Sequence, residues 1–223
     1  MNLKQFFVKK VDKTFKNKKN REKAIYMLDI VIKLLNKYEI KYYLDFGTLI
    51  GAIRDNGLIL WDHDVDISIL DENDYDKITL ILDEIKHKYH LRTYLSTFDD
   101  SNKRRKEKNQ EIFSKDIKFT KTSNYQIAKI RDNKFWLFGR GNMCIDIFFK
   151  YKFNDHLYWV AFGKENSTPY KYFSKELIEI NFCGIICTIP KDYDNYLTSL
   201  YGNWKVPNKS WIENDSLTQN LMV

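Results

Sequence analysis

The stretch Trp61-Asp62-His63-Asp64-Val65-Asp66-Ile67 constrains the chain more than any other. Read as a strand over 64–70, it sends alternate side chains to opposite faces, so Asp64 and Asp66 share one face while Val65 and Ile67 point to the core. Two carboxylates about 7 Å apart, at roughly 3.3 Å of rise per residue, repel each other unless a cation lies between them. Oxygen-only donors of this kind suit Mg2+ or Mn2+ rather than zinc.

A second apolar run, Met143-Cys144-Ile145-Asp146-Ile147-Phe148-Phe149, carries one carboxylate among buried-type residues. Desolvating an unpaired Asp costs several kcal/mol, so Asp146 needs a partner. If its strand lies beside the first, Asp146 completes a three-carboxylate set suited to metal-assisted phosphoryl transfer. Plainer readings stand beside this one: an exposed Asp-rich turn for 62–66, and backbone amides or an Arg as the partner of Asp146. Asp71, Glu72, Asp74 and Asp76 read as helix-start charges favoured by the helix dipole.

Upstream, 41–46 reads as a strand, Gly47 breaks it, and Thr48 is placed to cap a short helix over 49–54. Backbone N–H groups and a hydroxyl at such a turn suit phosphate oxygens; Gly51 permits close approach, and Arg54 adds a positive charge. Lys129 and Arg131 alternate on one face of a strand over 125–131, where both could reach a pyrophosphate or simply be solvated surface residues.

Ile25, Leu28, Ile32 and Leu35 repeat at helical spacing and predict a core-facing helix over 22–38. Asn56-Gly57 signals a turn, 71–89 reads as a second helix, and 193–201 as a third that ends at Gly202. Short β-type runs fall at 91–96, 111–119, 125–131, 143–149, 156–162, 177–182 and 185–189, with a charged loop at 98–110. Helices early and strands late give an α+β pattern. Cys144, Cys183 and Cys187 sit in apolar surroundings, are odd in number and lack zinc-site spacing, so they read as reduced core thiols.

The net charge of +7 is local. Residues 1–23 hold nine Lys/Arg against two carboxylates, whereas 55–76 hold eight carboxylates and no Lys or Arg. Phe6, Phe7, Val11 and Phe15 lie among the lysines of 1–21, which reads as a basic amphipathic arm; its expected partner is an anionic membrane surface and not nucleic acid, the rival reading, because the acidic face of the body would repel a phosphate backbone. No run of 18 uncharged apolar residues and no secretory-type apolar core occurs, so the default address is cytoplasmic, peripheral at the inner face of a membrane through the arm.

Taken together, D-F-G-T-L-I-G-A-I-R-D-N-G-L-I-L-W-D-H-D-V-D-I, the later I-D-I-F, and P-K-D-Y-D-N-Y-L-T-S-L-Y-G-N-W-K-V-P resemble, in order, the motifs of the LicD/fukutin family. The resemblance covers about 22–207 and implies three parts: an arm over 1–21, a nucleotidyltransferase-like catalytic domain over 22–207 with a mixed β-sheet flanked by helices, and a tail over 208–223. It further implies a transferase that moves phosphocholine or a polyol phosphate such as ribitol phosphate from a CDP-linked donor to a sugar hydroxyl of a glycan, in cell-surface polysaccharide, lipopolysaccharide or glycoconjugate synthesis. The acceptor is either free or lipid-linked.

Carried over by position, Asp64 and Asp66 would be ligands of Mg2+ or Mn2+, and Asp146 a third ligand or the general base. Gly47 and Thr48 would hold donor phosphate, with Arg54, Asp62, Lys129 and Arg131 as further substrate contacts. Attachment of a nucleotide to a small acceptor is the alternative chemistry, and a basic-arm nucleic-acid-binding module the alternative class.

Overall fold

The computed structural model describes residues 12–97, 125–133, 140–161 and 164–210. The predicted loop at 98–110, the predicted strand at 111–119, the first half of the arm and most of the tail lie outside the described residues.

The first helix, α1 (Lys18–Lys37), starts four residues earlier than its apolar repeat suggests, because the Asn17 side chain accepts the Lys19 N–H as an N-cap. It buries Met27, Leu28, Val31 and Leu35, each such side chain worth about 1.5–3 kcal/mol of removed apolar surface. Strand β1 (Tyr42–Leu44) follows, then a single helical turn α2 (Phe46–Ile50) that runs into a π-type turn at Gly51–Asp55. Asn56 closes that turn in the left-handed region at φ 49°, where Asn is tolerated. Next come β2 (Asp64–Ile69), α3 (Lys77–Lys88), β3 (Arg92–Thr97), β4 (Tyr125–Asn133) and β5 (Arg140–Phe149).

These strands form one mixed sheet in the order β1, β2, β5, β4, β3. Only β2 and β5 run parallel. Helix α1 packs on β5 and β2, and α3 packs on β3 and α1. One set of alternate residues, Val65, Ile67, Ala128, Ile130, Ile145 and Ile147, is fully buried. That burial fixes the register, since a one-residue slip would turn those six side chains outward. The opposite set carries Asp64, Asp66, Lys129, Arg131 and Asp146.

Strands β6 (Tyr151–Phe153), β7 (His156–Ala161) and β8 (Lys164–Pro169) make a second small sheet, and β9 (Leu177–Phe182) with β10 (Ile185–Pro190) a hairpin beside β1. The last helix, α4 (Tyr193–Tyr201), ends at Gly202 as its sequence predicts. Strands β6 and β8 were not legible: β6 is three residues long, and β8 reads K-E-N-S-T-P, with no apolar alternation although Asn166, Ser167 and Thr168 are buried.

Residues 12–17 do not continue a helix down the arm. Phe15 lies in a turn, 1% exposed, and its N–H donates to the Asp62 carbonyl at 2.8 Å. Asn20 Nδ2 donates to the carbonyls of Asp12 and Thr14, both at 3.0 Å, which folds this segment back onto the body. Among the described residues no helix is long and apolar enough to cross a membrane.

Candidate active site

Strand pairing builds the site. Asp66 of β2 lies opposite Asp146 of the parallel β5, and Asp146 lies opposite Lys129 of the antiparallel β4. One row across three strands therefore reads carboxylate, carboxylate, ammonium on one face. The next row places Asp64, Cys144 and Arg131 side by side. Carboxylate oxygens of Asp64, Asp66 and Asp146 all lie within 4.8 Å of one another. The sequence expectation that two separate strands bring these three residues together is thus met.

Such proximity has an electrostatic cost. Burial pushes the Asp66 carboxyl well above the usual carboxylate range, and the neighbouring Asp64 and Asp146 push it further. Hard oxygen donors that repel one another at this spacing fit a divalent cation, which would remove the repulsion. Asp146 has local partners as well. Lys129 Nζ donates to its Oδ2, and Cys144 Sγ donates to its Oδ1 at 2.7 Å. Burial, with Asp146 beside it, raises the Cys144 thiol, so it remains a protonated donor at neutral pH. Cys144 was expected to be only a core thiol; its place two residues before Asp146 on the same strand face was the available signal.

Asp62 lies before β2 begins, so strand parity does not govern it. Its Oδ1 accepts the His63 N–H at 2.9 Å, and it forms a second acidic group with His63 and Asp64. Burial, then Asp64, pushes its carboxyl up to about 7. A methyl group on Gly47 would stand 2.6 Å from Asp62 Oδ2. Gly47 therefore leaves room for a carboxylate, where the sequence suggested room for a phosphate.

The Gly-Thr turn differs from expectation in a second way. The strand breaks at Asp45, two residues before the expected point, with Phe46 in the left-handed region at φ 46°. A bulky residue there costs of order 1–3 kcal/mol. Asp45, not Thr48, is the N-cap, accepting the Phe46 N–H at 2.8 Å. Thr48 is inside the helical turn, 2% exposed, and its Oγ1 accepts the Asp66 N–H at 2.8 Å. The Asp45 N–H donates to the Asp66 carbonyl at 3.0 Å. Main-chain groups on both sides of Asp66 are thus held by the 45–48 turn. The buried Thr48 hydroxyl, expected to meet donor phosphate, here acts on the Asp66 main chain.

Arg54, expected as a substrate contact, is engaged within the protein. Its guanidinium forks onto Asp55, with Nε to Oδ1 at 2.7 Å and an η nitrogen to Oδ2 at 2.8 Å, while the other η nitrogen donates to the Trp204 carbonyl at 3.1 Å. It also lies 5.9 Å from the Trp61 ring centroid. These contacts tie the π-type turn to the C-terminal segment. Lys129 and Arg131, by contrast, sit on the face of the carboxylates, as their alternation implied.

Residues 39–192 match the family model described as LicD/FKTN/FKRP, nucleotidyltransferase domain. Curated relatives include the ribitol-5-phosphate transferase fukutin of Mus musculus, 24% identical over 199 residues, and that of Homo sapiens, 25% identical over the same length. Each alignment takes in 86% of this chain and 35% of the relative, so the chain spans about a third of their length. The lipopolysaccharide cholinephosphotransferase LicD of Haemophilus influenzae is 51% identical over 41 residues, 18% of this chain and 16% of that protein. Among solved structures, a lincosamide antibiotic adenylyltransferase aligns over 87% of this chain and 90% of its own at 13% identity, with a TM-score of 0.41. With 154 of its 223 residues inside the matched region and the acidic triad, Gly-Thr turn and third-Asp strand all within it, the chain belongs to the LicD/FKTN/FKRP nucleotidyltransferase-domain family.

Proposed function

We propose that this chain is a divalent-metal-dependent transferase that moves a phospho-alcohol, phosphocholine or a polyol phosphate, from a CDP-linked donor to a sugar hydroxyl of a glycan. The observation that carries the reading is the cross-strand row of Asp66, Asp146 and Lys129, two carboxylates and an ammonium on one sheet face. The activities of the relatives, transfer of ribitol 5-phosphate and of phosphocholine, support the substrate class.

In this reading Asp64, Asp66 and Asp146 hold Mg2+ or Mn2+, which when bound supplies charge neutralisation at the pyrophosphate. Lys129 and Arg131 contact pyrophosphate oxygens from β4 and orient the donor for in-line attack at the phosphorus bearing the alcohol. The sugar oxygen forms the new P–O bond, the bond to CMP breaks, and CMP leaves with the electron pair. The hydroxyl proton goes to a carboxylate of the acidic centre, Asp146 or Asp66. The basic residues of 1–21 provide contact with an anionic membrane surface that carries a lipid-linked acceptor.

A screen of CDP-choline, CDP-ribitol and CDP-glycerol for CMP release in Mg2+ or Mn2+, against EDTA, tests the reading. Metal-dependent CMP release, with a phospho-alcohol mass added to a glycan acceptor, is the expected result. A nucleotide mass on the acceptor, or release undiminished by EDTA, overturns it.

A further inference from the structure

Lys150 directly follows β5 and is 0% exposed, an unusual place for an ammonium. Its Nζ meets Asp45 Oδ2 at 2.6 Å and donates to Tyr196 Oη of α4 at 2.8 Å. Five rings surround it, with centroids at 4.2 Å (Trp159), 4.7 Å (Phe46), 5.2 Å (Tyr196), 5.3 Å (Tyr43) and 5.8 Å (Phe173). Such faces attract a desolvated cation. Asp45 is equally buried and fully engaged: besides Lys150 it accepts from Ser68 Oγ at 2.5 Å, from Tyr196 Oη at 2.7 Å and from the Phe46 N–H.

The position of this cluster is what gives it a role. Asp45 begins the turn whose main chain and Thr48 hydroxyl grip Asp66 from both sides. Ser68 is two residues along β2 from Asp66, on the same face. Lys150 is four residues beyond Asp146, and its own N–H donates to the Ile69 carbonyl at 3.2 Å. One buried ion pair thus joins the turn, the strand of Asp66, the strand of Asp146 and the C-terminal helix. Phe46, held at positive φ between Asp45 and the ring cage, would relax without that tie.

We propose that Lys150 is a positioning residue for the acidic centre: its buried ammonium, pinned on Asp45, holds the 45–48 turn in the one conformation that clamps Asp66 beside Asp146. The geometry distinguishes this from simple core packing, because an apolar side chain could fill the ring cage but could not orient the Asp45 carboxylate. Tyr196 makes the same device the means by which the distant C-terminal motif reaches the site. The proposal concerns the geometry of a cation site and so rests on the metal-dependent reading, but its first readout is independent of any donor.

The test uses the full chain and Mn2+ as the probe. Lys150→Met alone leaves Asp45 buried without its cation, so the informative variant is Lys150→Met combined with Asp45→Asn, which neutralises both partners. Expected is a folded protein, by near-parental circular dichroism, whose dissociation constant for Mn2+ rises about tenfold or more, as for other residues that orient metal ligands. With an active CDP-linked donor, kcat falls by a similar factor while the donor KM changes far less. Tyr196→Phe keeps the ring, removes one donor to the same carboxylate, and raises the Mn2+ constant by about threefold. Mn2+ affinity unchanged from the parent in the folded double variant, or in Tyr196→Phe should the double variant not fold, overturns the proposal. Failure of every donor to release CMP would overturn the transferase reading while leaving the Mn2+ measurement decisive for Lys150.

Discussion

Asp66 and Asp146 lie side by side across the parallel β2–β5 pair, where each adds to the other's burden of buried negative charge. Asp66→Asn removes the charge that burial and neighbouring carboxylates oppose most strongly. In EDTA the variant is expected to melt higher than the parent, by roughly 2–4 °C per kcal/mol of relieved repulsion. Transfer is expected to fall by about a thousandfold or more, the several kcal/mol a metal centre supplies. Asp64→Asn should lose activity similarly. Retention of full activity by either variant would remove the metal centre from the mechanism.

The raised carboxyls also set a pH dependence. The folded state binds a proton on Asp62 up to about pH 7, whereas an unfolded Asp releases it near 3.9. Between those values the folded state holds more protons, so this group's contribution to stability declines as pH rises and levels off above about 7. Asp66 acts in the same direction. A divalent cation held by Asp64, Asp66 and Asp146 would displace the proton on Asp66. The gain in Tm on adding Mg2+ should therefore grow from pH 5 to pH 7. Thermal melts in Mg2+ and in EDTA across that range check it; a gain that shrinks with rising pH would contradict the assignment.

The core of the site was legible because period-two alternation is a strong signal: Asp64, Asp66, Asp146, Lys129 and Arg131 all fell on the expected face. Which strands are neighbours was not legible, since the β2–β5 pairing is between segments about 80 residues apart and depends on register. Thr48 was misread because Gly47 looks like the natural break, while the chain turns one residue earlier by placing Phe46 at positive φ. Lys150 stayed hidden for a different reason. A lysine after two phenylalanines reads as the exposed end of a strand, and only a cage assembled from β1, α2, β7, the 170–173 turn and α4 makes burial tolerable.

Two glycines of the first motif should respond in opposite ways to alanine. At Gly47 the new methyl meets the movable end of Asp62 at 2.6 Å. Gly47→Ala is expected to leave Tm within a few degrees of the parent and to lower kcat/KM by about 10- to 100-fold through displacement of that carboxylate. At Gly51 it meets the Gly57 main-chain oxygen at 2.5 Å and Ile59 at 3.3 Å. Main chain cannot rotate away, so Gly51→Ala should destabilise the fold by about 1–3 kcal/mol. Denaturant melts and donor turnover on both variants separate the two effects.

Lys129 offers a prediction in which binding and catalysis part company. Its ammonium sits on Asp146 Oδ2, where it competes with any cation for that carboxylate, and it stands on the face assigned to the donor pyrophosphate. Lys129→Met, which keeps the aliphatic stem on the sheet, removes the competitor and the phosphate contact together. Mn2+ should then bind more tightly, because among the described residues Asp146 is left with the Cys144 thiol as its side-chain donor. Turnover of the CDP-linked donor should still fall, by about 10²-fold, since loss of a charge-assisted phosphate contact costs about 2–3 kcal/mol. Titration of Mn2+ and steady-state kinetics on the same preparation decide it. Weaker Mn2+ binding would mean that Lys129 supports the cation site by fixing Asp146, and the donor contact would then belong to Arg131.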